Sequence, residues 1–419
     1  MTRTYLQLLK SNCQLTQFLL AGLLLAVATC SAAATPGIAA GNFHAVALKA
    51  DGSVWAWGYN QNGQLGDDSQ IEKASPVQIF PPGSNVIQVE AGKIYSLALK
   101  ADGSVWAWGN NTWGQIGDGS KVDRLTPMQV LAAGSGAVKI VAGKDFAFAL
   151  KKDGCVWGWG SSDSNQLGPN KTDNLGEPIY FIRSPIQVME PGSGMVDLAT
   201  GDRHVIALKA DGSVWAWGNN ERGQLGNGIT GKNKWPPVRI MPPGSGTIAV
   251  AAGNRYSFAA KKDGSVWAWG NNIFGQLGNG TLDIDHPAPQ RILPAGSGVI
   301  AIVAGAFHVL ALKKDGSIWA WGANNAGQLG NGVAWTWDSV KLRDLEGVPK
   351  QLSPIKVLPS GSGIVALSAR NSQSLALKGD GSILEWGNAN PRDPWLGMSS
   401  PGKLVPTVMP GFSLLVNAK

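Results

Sequence analysis

Four histidines, one cysteine beyond the N-terminal segment and the seven Asp-Gly pairs that recur at near-constant spacing are the residues of this 419-residue chain best suited to chemistry. His44, His204 and His308 each stand in Gly-x-x-His. Imidazoles of this kind can hold a metal only if they converge within about 2.0–2.3 Å of one ion. These three occupy the same position in different copies of a repeat, so no metal centre is expected. Tyr95, Phe146, Tyr256 and Gln373 fill that position in the other copies, which points to a ring packed at a strand start. His286, in "DIDHPAP", is alone in a loop. The stretch 226–232, "GNGITGK", has the glycine and lysine spacing of a phosphate loop. Asn233 replaces the hydroxyl that would hold magnesium, however, and "KWPPVRIM" follows where a helix should begin. Cys155 stands where the other copies have Ser and has no nearby His. No acid–base pair or nucleophilic triad assembles. A non-catalytic protein without cofactor or metal is expected.

The Asp-Gly pairs begin at Asp51, Asp102, Asp153, Asp211, Asp263, Asp315 and Asp380, at spacings of 51, 51, 58, 52, 52 and 65. Near-constant spacing of this length marks a solenoid, propeller or array. Within 76–109, "PVQIF", "NVIQVEAG", "KIYSLALK" and "VWAWG" are four short apolar segments separated by "PPGS" and "ADGS" turns. Asp-Gly between apolar runs signals a hairpin. Four antiparallel strands repeated seven times predict an all-β, seven-bladed β-propeller. In "SVWAWG", Trp55 and Trp57 share one strand face and Val54 and Ala56 the other. The large face can then meet the small face of a neighbouring blade, so thirteen such Trp are expected in the core. The first copy lacks an opening strand in this reading. Residues 404–418 are expected to add two strands to the hairpin at 44–58 and latch the ring.

The Asp residues form a ring, which local hydrogen bonding in turns explains. A Lys stands two residues before each, and Lys152, Lys262 and Lys314 are extra, so ten lysines face seven aspartates on that rim. Over the whole chain, 35 Lys and Arg against 28 Asp and Glu give +7, or +5 without Arg3 and Lys10. That surplus is too small to indicate nucleic-acid binding. Residues 18–34, "FLLAGLLLAVATCSAAA", are apolar and follow a positively charged flank. This pattern predicts a signal peptide over residues 1–34, with cleavage after Ala34 and a propeller over 35–419; an uncleaved membrane anchor is the alternative. Cys13 and Cys30 lie in that segment, leaving Cys155 alone and no disulfide within the remainder.

Stretches such as "AGNFHAVALKADGSVWAWGYNQNGQLG" (40–66) and "AGAFHVLALKKDGSIWAWGANNAGQLG" (304–330) resemble the repeat of the regulator of chromosome condensation family, in its secreted bacterial form. The resemblance runs from residue 38 to about 417 and implies the propeller fold. For function it implies several roles: guanine-nucleotide exchange on a small GTPase with nucleosome docking, signalling, or inhibition of a secreted enzyme. No partner-contacting residue of the family maps onto this chain, and a signal peptide argues against the nuclear role.

Alternation of strand direction places the Pro-x-Gly-Ser-Gly and Lys-x-Asp-Gly turns on one rim. The other rim holds the variable segments, read as blade-to-blade crossings, including the insertions at 161–185 and 331–354. Variable loops on a rigid repeat scaffold carry function, and exposed aromatics and Arg anchor interfaces. Trp113, Arg222, Trp235, Phe274, Trp335 and Trp337 are the expected contacts of a protein partner, and the Trp residues could instead cap loops onto the propeller. The reading is a monomeric, secreted or periplasmic binding scaffold with no nucleic-acid partner. The alternatives are an exchange-type regulator of a nucleotide-binding protein and a carbohydrate- or envelope-binding propeller.

Overall fold

The computed structural model describes residues 34–169, 171–172, 178–333, 350–387 and 403–415. Seven four-stranded antiparallel sheets form the blades of a β-propeller, and no helix occurs among the described residues. Blade 1 runs Gly37–Ala40, His44–Leu48, Val54–Gly58 and Lys73–Phe80 from inside to outside. Each later blade repeats this order, and blade 7 ends with Ser382–Gly387 paired to Lys403–Ser413. The inner strands touch in cyclic order, with that of blade 7 (Ile364–Arg370) against that of blade 1.

The expected strand phase is corrected here, together with what followed from it. "PVQIF" pairs with the "VWAWG" strand before it, Ala56 opposite Val77, so it is the outer strand of its blade. The Pro-Gly-Ser turns are therefore the blade-to-blade crossings, and the variable segments connect the third and fourth strands within a blade. With this phase Gly37–Ala40 is the opening strand of blade 1, and nothing is missing. Residues 404–415 therefore add no strand to the N-terminal hairpin, and residues 416–418 of that expectation lie outside the described residues. Lys403–Ser413 completes blade 7, and the ring closes by side-chain packing with two hydrogen bonds across the seam, Ala50 N to Leu414 O (3.1 Å) and Ala40 N to Ser368 Oγ (2.9 Å). Phe412 stands edge-on to Trp55 and Trp57 at 5.5 and 6.1 Å, as Phe80 does to Trp106 and Trp108 one blade on.

The core consists of inter-blade layers. Val54 and Ala56 of blade 1 pack with Trp108 of blade 2, large face on small face. The second Trp of each copy is buried, from Trp57 to Trp386. The first Trp of each pair is only partly buried, a second correction to the thirteen core residues. Its place is fixed by the turn before it. Asp51 Oδ1 accepts Ser53 N (2.9 Å) and Ser53 Oγ (2.6 Å), Ser53 Oγ accepts Trp55 Nε1 (3.0 Å), and Lys49 Nζ lies 4.6 Å from the Trp55 ring. The same relay recurs at Lys100, Asp102, Ser104 and Trp106 and at Lys209, Asp211, Ser213 and Trp215. Donation by the serine holds Asp102, Asp211 and Asp263 below the usual carboxylate range and Asp315 and Asp380 down to about 2. Lys49, Lys100 and Lys209 thus each lie over a ring face.

Candidate functional site

The repeated polar residues are consumed by the fold. In blade 1, Asn60 Oδ1 accepts Leu65 N at 2.9 Å, and Gln64 Oε1 accepts Asn62 N at 3.0 Å. The Gln64 main-chain oxygen accepts Trp108 Nε1 (3.0 Å) and Ser96 Oγ (2.8 Å) of blade 2. Equivalent Trp-to-Gln bonds join Trp159 to Gln115, Trp217 to Gln166, Trp269 to Gln224, Trp321 to Gln276 and Trp386 to Gln328. Close approach requires the glycine after Gln-Leu: a Cβ on Gly226 would lie 2.6 Å from Trp269 Nε1, and its φ is +81°. The histidines belong to the same seams. His44, His204 and His308 direct Nε2 at Ser96, Ser257 and Ser374 of the next blade (3.0, 2.9 and 2.9 Å), and burial lowers each to about 3. His286 pairs with Asp283 at 3.1 Å. No cluster of metal-binding side chains occurs among the described residues. Cys155 is buried, its Sγ directed to Met189 O at 3.1 Å, and burial pushes its thiol up.

What the frame leaves variable is one residue per loop, just before Gly-Gln on the rim opposite the Asp-Gly turns. Trp113, Arg222 and Phe274 occupy this equivalent position in blades 2, 4 and 5. Trp113 is 44% exposed. Arg222 reaches Asp285 of blade 5 at 3.3 Å, and Phe274 meets Phe307 of blade 6 edge-on at 4.9 Å. The three therefore share one ring but are not gathered at one spot. Trp235 is placed otherwise. It lies in the outer strand Gly231–Met241, partly buried, with its ring edge-on to Trp217 at 6.4 Å. Trp335 and Trp337 lie outside the described residues.

Sequence reasoning missed the central channel, a cavity of 660 Å³ lined by the inner strands. Arg370 of blade 7 crosses it and donates to Ala142 O of blade 3 at 3.0 Å, an oxygen that also accepts Thr200 Oγ1. Lys139 pairs with Asp197, and Lys144 lies 3.6 Å from Asp202. Burial raises Glu90 to about 7. Blades 5 and 6 contribute residues such as Ala251 and Val303, so the channel is charged on one side and apolar on the other. The signal was present in the seventh copy. Elsewhere a Gly precedes the ring residue because the ring fills its Cβ space; a Cβ on Gly201 would lie 2.2 Å from His204 Cε1. With Gln373 in place of a ring, Arg370 can replace the Gly.

A closed ring of seven four-stranded blades, with repeated residues bonding blade to blade and one variable rim, defines a seven-bladed β-propeller. The sequence matches the RCC1-like domain over residues 25–281 and 133–414, and the chain belongs to that family. It is 29% identical over 356 residues to the ultraviolet-B receptor UVR8 of Arabidopsis thaliana, covering 84% of this chain and 76% of the receptor. It is 30% identical over 295 residues to human HERC2, named an E3 ubiquitin-protein ligase, covering 68% of this chain but 6% of that protein. Among solved structures, yeast RCC1 (Prp20) bound to Kap60 superposes with a TM-score of 0.70 at 21% identity, covering 95% and 90% of the two chains. Human WBSCR16 gives 0.68 at 23% identity, covering 82% and 87%. These two likenesses are of fold.

Proposed function

We propose that this propeller is an exported, non-catalytic scaffold that binds a protein through its variable rim. One observation carries the reading. The repeated Asn hold their loops, and six of the repeated Trp together with the three buried His bond to the next blade, so the projecting residue before Gly-Gln is the part free to differ from blade to blade. Trp113 is exposed there, and Arg222 and Phe274 stand at equivalent places. A binding role is in keeping with relatives: yeast RCC1 (Prp20) has been solved bound to Kap60, and Prp20p has been characterised for binding Gsp1p and histones. Export rests on the apolar segment 18–34 behind Arg3 and Lys10. Trp335 and Trp337 belong to the proposed contacts through the insertion they occupy.

The test is affinity capture with the intact protein against variants Trp113→Ala with Arg222→Ala, and Trp335→Ala with Trp337→Ala. Loss of the same captured protein in both is the expected result. Undiminished capture would place the contact elsewhere. Fractionation checks the location: recovery of the chain from cytoplasm alone would overturn export and favour a regulator of an intracellular nucleotide-binding protein.

A further inference from the structure

The opposite rim carries a feature that the fold does not require. Six inner strands begin with the same irregularity. In blade 2, Val86 pairs with Lys100 and Gln88 with Leu99, leaving Ile87 as an extra, bulged residue. The same slip leaves Val138, Val196, Ile248, Ile300 and Val365 unpaired in blades 3 to 7. A bulge re-aims its side chain, here into solvent, and these six are 44–59% exposed. None belongs to an inter-blade core cluster. Strand propensity would admit Thr or Tyr at such a site, yet all six are Ile or Val. Two of the crossings beside them also expose proline pairs, Pro81-Pro82 and Pro242-Pro243.

We propose that this rim seats on an anionic lipid surface, the bulged aliphatics entering the interface and the neighbouring lysines meeting head groups. Three observations select that occupant. Repeat symmetry sets the six side chains at one height around the axis, so a partner touching all of them at once must be flat. Exposed Lys152, Lys262 and Lys314 stand among them, and Lys262 N bonds to Gly246 O, two residues from Ile248. With ten lysines against seven aspartates in its turns this rim carries a positive surplus, which a second copy facing it would meet with a like surplus and an anionic bilayer attracts. Finally, Ala34 N donates to Ala50 O at 2.9 Å, so the chain enters the propeller at this rim, directly after the apolar run 18–34. Aliphatic side chains with lysines around them match the boundary between acyl chains and head groups. So seated, the propeller turns its variable rim away from the lipid.

The test uses residues 34–419, because all seven sheets are built from residue 37 onward. The protein is sedimented with vesicles of phosphatidylglycerol and phosphatidylcholine, and with phosphatidylcholine alone. Binding to the anionic vesicles is expected. It should weaken about tenfold or more in Ile248→Ser with Ile300→Ser and Val365→Ser, and comparably in Lys152→Ala with Lys262→Ala and Lys314→Ala. The unfolding midpoint should stay near wild type, since these side chains are exposed. Absence of vesicle binding would overturn the proposal, as would equal binding by the aliphatic variant. So would a wild-type dimer that the aliphatic variant dissociates, which would assign the ring to a second copy.

Discussion

Replacing His204 with Tyr and Ser257 with Val should flatten the acid sensitivity of the propeller by a calculable amount. His204 is fully buried, and its pKa falls from 6.5 to about 3 through desolvation. The unfolded imidazole titrates at its ordinary value, so between those limits the unfolded chain takes up a proton that the fold refuses. Stability is therefore complete above pH 6.5 and is lost as pH falls toward 3. At pH 5 the unfolded imidazole is about 97% protonated and the buried one neutral, a loss of about 2 kcal/mol per histidine relative to pH 8. His44 and His308, equally buried and also lowered to about 3, add similar amounts. Glu90, raised to about 7, titrates in the opposite sense, so the comparison with a variant isolates the histidine. The replacement copies seams already present. Tyr256 donates its hydroxyl to Gly305 O and His308 O at 3.0 and 2.8 Å, and Val309 follows where Ser257 would stand. Urea unfolding at pH 8 and pH 5 gives the stability difference for each protein. The variant's difference should be smaller than wild type's by about 2 kcal/mol. An unchanged difference would mean that His204 titrates near its ordinary value in the fold, and the dry seam inferred here would be wrong.

Three further outcomes follow from contacts. Gly226→Ala should cost about 2 kcal/mol or more, because the added Cβ meets Trp269 at 2.6 Å; Gly228→Ala, at φ +85° with open space, should cost about 1 kcal/mol, both read by urea unfolding. Trp113→Ala should leave stability within about 0.5 kcal/mol, whereas Trp235→Ala should cost about 2 kcal/mol, because the first ring is exposed and the second packs on Trp217. Arg370→Met should lower stability by about 1.5–3 kcal/mol in the same assay, through loss of the charged bond to Ala142 O.

The blade count, the four-stranded sheets and the Trp-on-Val layers were legible because turn chemistry and side-chain alternation are local properties. The phase of the blade was not. "PVQIF" can pair with the strand before it or after it, and only tertiary packing decides, which is why the predicted closure by residues 404–418 failed. Another pattern was written in the sequence and went unread. Ser96, Ser257 and Ser374 follow blades carrying His44, His204 and His308, whereas Ala147 and Val309 follow those carrying Tyr95 and Tyr256. The pairing joins residues roughly 50 apart, so periodicity within one copy could not reveal it. On the variable rim, sequence reasoning named Trp113, Arg222 and Phe274 but did not notice that they share one repeat position, just before Gly-Gln. It could not tell the exposed Trp113 from Trp235, because a strand-borne Trp and a loop-borne Trp look alike in a divergent segment.

Every blade is assembled from one continuous stretch of chain, with the short ladder of Lys171–Thr172 and Pro178–Ile179 set between the third and fourth strands of blade 3, and none borrows a strand from across the ring. The junction between blades 7 and 1 is likewise a packed seam, although Trp57 Nε1 lacks the Gln oxygen that its six counterparts have, and Ala50 N bonds to Leu414 O across it. A blade is consequently a movable cassette. New termini opened at the crossing Gly83–Ser84, with the native ends joined, would leave all seven sheets intact, and a deletion or duplication of one period changes ring size without orphaning a strand. The molecule is a bracelet without a clasp, and its length in evolution is adjustable one link at a time.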